Sequence, residues 1–116
     1  LIIFKNFSDL IAFLFGLRKT AIVRGNSMLP TLKESDIVFF KKYIKNKSLL
    51  NVGQIVIFHH PFKNIRLIKR IKNVSKNSIE VLGDNIEYSE DSNKLGLIYK
   101  EKVIGIVTSK MFNVKS

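Results

Sequence analysis

The chain contains no cysteine, which removes disulfide staples, thiolate zinc sites and cysteine nucleophiles together. Any chemistry must therefore come from oxygen or nitrogen side chains. Long apolar runs are also missing. The run over residues 10–17 falls far short of the roughly 20 residues a membrane span needs, and Lys5 and Asp9 break any longer one. No small-x-small pattern follows it, which disfavours a secretory signal. Acidic residues are scarce, nine against twenty Lys and Arg, for a net charge of +11. Such a charge suits an acidic partner or an anionic membrane surface. The cations are spread along the chain without an arginine-rich run or a recognition-helix pattern, so no nucleic-acid partner is expected. Nine Phe and three Tyr sit mostly in apolar runs, as core residues rather than a base-stacking platform.

At 116 residues and 13.3 kDa the chain fits one domain with one modest core. Neither an internal repeat nor a linker divides it. In residues 1–19, Ser8 is placed to cap an apolar helix. Phe7, Leu10, Ile11, Leu14 and Leu17 share one stripe, and Arg18 and Lys19 suit the negative end of its dipole. That helix either packs on the domain or lies in a membrane interface. From residue 20 the pattern changes to short β-type runs at 20–24, 36–42, 54–58, 64–72, 78–82 and 102–108. They are rich in Ile, Val and Phe and separated by Gly, Asn, Pro or Ser. Residues 43–53 read as an exposed loop. The expected fold is mainly β and antiparallel, with a short N-terminal helix before a domain over residues 20–116.

Two places carry chemistry. Side chains alternate across a strand, so Ile65, Leu67, Lys69 and Ile71 point one way and Arg66, Ile68, Arg70 and Lys72 the other. One face reads as solvated and cationic, the other as apolar with a single lysine in it. Burial disfavours the ammonium form, and a neutral lysine accepts a proton where arginine does not. Taken alone, the pattern equally fits a lysine whose stem snorkels to water. The second place is Gly25-Asn26-Ser27-Met28-Leu29-Pro30-Thr31-Leu32, a serine in a turn bracketed by Gly and Pro. Serine is a weak nucleophile until a base takes its proton. Lys69 supplies the base, and the Ser27 N–H supplies an oxyanion donor.

Taken in order, three strings resemble the boxes of type I signal peptidases and their small relatives. They are the turn around Ser27, Leu67-Ile68-Lys69-Arg70-Ile71, and Gly83-Asp84-Asn85 followed by Ser89-Glu90-Asp91-Ser92. Ser35-Asp36-Ile37-Val38 and Gly53-Gln54-Ile55-Val56 look like that family's Gly-Asp-x-Val strands, and the likeness covers about residues 20–108. The resemblance implies a signal-peptidase and repressor-cleavage type of β fold, a serine endopeptidase with a Ser/Lys dyad, and no cofactor or metal. Ser27 matches the nucleophile and Lys69 the general base. Ser89 matches the serine that orients the lysine amine, and Asp91 the acid that braces the site. Gly25 and Asn26 are the oxyanion or turn positions. Relatives usually pair the bracing acid with an arginine two positions on, where this chain has Asn93. Some place a serine where this chain has Gly25, and Ser35 replaces a common glycine.

The small size, the missing inserted domain and His60-Pro61-Phe62 look most like the nickel-type superoxide dismutase maturation proteases. The implied substrate is then a protein precursor, the nickel superoxide dismutase proenzyme, in the cytoplasm. The alternative is a membrane-associated signal peptidase cleaving secretory signal peptides, with peripheral membrane contact through the apolar N-terminus. His59 and His60 are adjacent, point to opposite strand faces and make a poor chelate. Glu87, Glu90 and Asp91 do not follow a calcium-loop spacing. Asp84-Asn85 is first a turn signal that also holds Ser89 near Lys69.

Overall fold

The computed structural model describes residues 2–4, 16–85 and 95–113, with side-chain environments for 16–85 and 95–111. Among these residues the expected β character holds. The strands are β1 (Ile2–Phe4), β2 (Lys19–Ile22), β3 (Ile37–Lys42), β4 (Ile55–His59), β5 (Arg66–Val74), β6 (Ser78–Leu82), β7 (Ile98–Tyr99) and β8 (Val103–Asn113). All six expected runs are strands. β7 was not anticipated because it is two residues long. β1 lies inside the segment expected to be helical, yet Ile2, Ile3 and Phe4 pair with Asn113, Phe112 and Met111. The remainder of the helical stripe, apart from an exposed Leu17, falls outside the described residues.

Every pairing is antiparallel, in the order β2-β3-β8-β4-β5-β6-β7, with β1 on the far end of β8. β8 is the spine, since Gly105 and Ile106 lie between Lys42 and Lys41 of β3 on one side and Ile57 and Val56 of β4 on the other. Register shifts at Phe39/Phe40, Ile57/Phe58 and Ile71/Asn73 bend the strands and let the sheet curl.

The curl has its cause in strands that are apolar on both faces. In β4, Val56 and Phe58 join one core cluster with Ile71, Val81, Ile98 and Ile106. Ile57 joins a second, with Val23, Met28, Leu32, Val38 and Phe40. β5 behaves likewise: Leu67 and Ile71 serve the first cluster while Ile68 packs on the second. The expectation of one solvated, cationic β5 face is therefore corrected. Arg66 and Lys72 are exposed, but Ile68 is packed and Arg70 is half-buried in an ion pair. Residues 43–53 are mostly exposed as expected, with Tyr43 and Leu50 turned into the first cluster. At the end of β4, His59 is exposed and His60 buried, on opposite faces. The His60 Nδ1 accepts the N–H groups of Phe62 (3.0 Å) and Lys63 (3.1 Å), closing the connection to β5.

Candidate active site

The turn that holds Ser27 is fixed from inside and outside. At its base the Val23 N–H donates to the Asp36 carbonyl and the Ser35 N–H to the Val23 carbonyl, both at 2.8 Å, extending the β2–β3 ladder into the loop. Ser35 has φ +72°, the left-handed region that favours glycine. Within the turn, Leu29 N–H donates to the Asn26 carbonyl and Leu32 N–H to the Met28 carbonyl. Met28, fully buried, and Leu32, 3% exposed, insert into the second core cluster. Burial of a side chain of the Met28 kind contributes about 2 kcal/mol, enough to hold the flanking hydroxyl in one place. Gly25 sits at φ +78° and its N–H donates to the Glu34 carboxylate. A serine at this position, as in some relatives, would be strained on such a backbone.

From outside, the segment following β6 clamps the turn. The Asn85 N–H donates to the Ser27 carbonyl at 2.9 Å, and Asn85 Nδ2 donates to the Asn26 carbonyl at 3.1 Å. The neighbouring Asp84 accepts the Thr31 hydroxyl and takes Arg70 in a bidentate pair, with Nε and Nη2 each at 2.8 Å. The guanidinium also donates to the Gly53 carbonyl at 2.6 Å. Hydrogen bonds from Arg70 hold the Asp84 carboxyl below the usual carboxylate range; burial opposes the shift, while Thr31 and the guanidinium charge add to it. The same contact raises Arg70. Lys110 of β8 donates to the Thr31 carbonyl at 3.2 Å and lies 3.8 Å from Asp36. Asp84 thereby links the turn to β5 through the residue directly after Lys69.

Lys69 is 3% exposed, on the face of Leu67 and Ile71 and opposite Val56 of β4. A cleft of about 450 Å³ runs between β2 with its continuation through Arg24 on one wall and Arg66, Leu67 and Ile68 of β5 on the other, with Ser27 in its lining. Lys69 follows these β5 residues but does not line the cleft. Among the described residues no direct hydrogen bond joins the Ser27 hydroxyl to the Lys69 amine. Ser89 and Asp91 lie outside the described residues. The sequence reading set Ser27 in a bracketed turn and Lys69 on an apolar strand face, where the structure has them, but did not anticipate Thr31, Arg70 and Asn85 as a bracing set. The available signal was the adjacent acid and amide of Gly83-Asp84-Asn85.

The family described as "Signal peptidase, peptidase S26" matches residues 2–72, a span holding both Ser27 and Lys69. Among curated proteins, the chain is similar to Signal peptidase I P of Bacillus subtilis subsp. natto, 34% identical over 65 residues. That match covers 56% of this chain and 35% of the relative. Signal peptidase I of Buchnera aphidicola subsp. Schizaphis graminum is 32% identical over 85 residues, with 63% and 25% covered. Signal peptidase I U of Bacillus subtilis strain 168 is 28% identical over 79 residues, with 65% and 42% covered. The matches thus span between 25% and 42% of these relatives' own length.

Proposed function

The chain belongs to the signal peptidase family S26, and from that premise we propose that it is a serine endopeptidase that removes an N-terminal leader from a protein precursor. Ser27 is the nucleophile and Lys69 its general base. The observation that carries this reading is the pairing of a serine in the lining of a strand-walled cleft with a lysine buried on one wall strand. Burial of that kind works against an ammonium and favours the amine that a base must be.

The precursor lies extended along β2, an edge strand whose outer main-chain groups accept one more strand. The Ser27 hydroxyl oxygen attacks the scissile carbonyl carbon while its proton passes to the Lys69 amine. The resulting oxyanion accepts the Ser27 N–H. Collapse breaks the C–N bond as the ammonium returns the proton to the leaving amine. Water, deprotonated by the same amine, then hydrolyses the ester. Serine–base contacts are often long before substrate arrives and close in the complex. Asn85 aims the oxyanion donor. The Asn26–Ser27 peptide is trans, so its carbonyl and the Ser27 N–H point in opposite directions. Holding the Asn26 carbonyl on the Asn85 side turns the N–H away from it. Ser89 orients the amine and Asp91 braces the site on the same reading.

The substrate proposed first is the nickel superoxide dismutase proenzyme, a reading supported by His60-Pro61-Phe62 at the β4–β5 connection. The names of the relatives support a second reading, a signal peptidase, for which a membrane-associated site of action is part of the proposal. Among the described residues no helix is long and apolar enough to cross a membrane. Purified protein is incubated with each precursor, and product masses are compared with those from Ser27→Ala and Lys69→Ala. Cleavage of one precursor, lost in both variants, is expected. Cleavage persisting in both removes the dyad, and the precursor that is cut chooses between the substrates.

A further inference from the structure

A second recess, of about 470 Å³, adjoins the cleft and shares Thr20 and Arg66 with it. Lys19, Lys42 and Arg66 converge on it over an apolar floor that includes Phe40 and Tyr43, and among the described residues no acidic one lines it. All three cations are exposed. Among the described residues none of them forms an ion pair, whereas Arg24, Lys45, Arg70 and Lys110 each meet a carboxylate. Three like charges around one concavity repel one another, and a low-dielectric floor concentrates their potential. A bound anion relieves both effects.

We propose that this basic recess is a subsite for an acidic side chain of the precursor, upstream of the cleaved bond. The inference rests on the endopeptidase reading and deepens it by naming a specificity element. On that reading the residues before the cut lie along β2, whose start, at Lys19 and Thr20, forms one side of the recess. At about 3.3 Å per extended residue, the subsite takes a carboxylate roughly four to seven residues before the bond held at Ser27. Continuity with the cleft favours a side chain of the bound precursor over an anionic lipid headgroup, which would need no such passage.

The test profiles cleavage of a proteome-derived peptide library by mass spectrometry, followed by kinetics on two synthetic peptides that differ only by Glu or Gln at the enriched position. Asp and Glu are expected to be enriched at one fixed distance before the cut. The Glu peptide should be favoured in kcat/KM by about fivefold at low salt, fading as salt rises. Lys19→Glu and Lys42→Glu should each bring that ratio to one or below, with Lys42→Gln as a milder variant and circular dichroism confirming that all three are folded. Cleavage without acidic enrichment, or a Glu preference surviving both reversals, overturns the subsite. So does a result in which vesicles containing anionic phospholipid bind the wild type but not the charge-reversed proteins while peptide preference is flat, since the recess then serves lipid. A wild type that cuts no peptide and matches Ser27→Ala overturns the endopeptidase reading itself, and the subsite with it.

Discussion

At the scale of single residues, the turn that carries Ser27, the proposed nucleophile, is held by the amide of Asn85 and the acid of Asp84. Asn85 holds two successive carbonyls of the Ser27 turn. Asn85→Ala should therefore leave the fold intact but lower kcat by about tenfold to a hundredfold with a smaller change in KM, a softer loss than deleting an oxyanion donor outright. Steady-state kinetics on the cleaved precursor measure it, and an unchanged kcat contradicts the aiming role. Asp84 makes a thermodynamic prediction. Its folded-state value is lowered, chiefly by Arg70, so its contribution is complete above about pH 4. That contribution is lost as pH falls through the lowered folded value. Thermal melts across this range should show an acid-side decline in the wild type that is shallower in Asp84→Asn. The variant should also lose about 1–3 kcal/mol at neutral pH. Equal slopes would exclude the link.

At the scale of elements, β8 is the strand on which the others depend. Gly105 lies where β3 and β4 flank it, and an added Cβ would fall 2.2 Å from Phe40 Cδ2 and 2.9 Å from the Lys41 carbonyl. Gly105→Ala should destabilise the protein by about 1–3 kcal/mol, read from urea denaturation midpoints. Pairing it with Phe40→Leu should recover part of the loss, because the two sites share one contact. β5 shows how far local pattern reaches. Its alternation correctly placed Lys69 with Leu67 and Ile71. It could not reveal that Ile68 has a second core to enter, or that Arg70 has Asp84 to meet. Those partners arrive from β2, β3 and the segment after β6, and periodicity along one strand carries no information about them.

At the scale of the whole molecule, a curled antiparallel sheet places apolar clusters on both of its faces. The same curl sets β2 and β5, far apart in strand order, on facing walls of the cleft. A strongly cationic surface remains, and its charges are unevenly matched: some pair with the few carboxylates while Lys19, Lys42 and Arg66 gather at one end of the cleft. Six strands, the mainly β class, the serine turn and the lone lysine were legible in the sequence. Each is written in short-range signals, namely side-chain alternation, Gly and Pro punctuation, and a charged residue among apolar ones. Tertiary structure alone decided that the second β5 face is packed as well, which residues brace the turn, and how a cleft forms between strands that never pair. Such outcomes follow from the bulges that bend the sheet and from contacts across dozens of residues, and no local pattern encodes either.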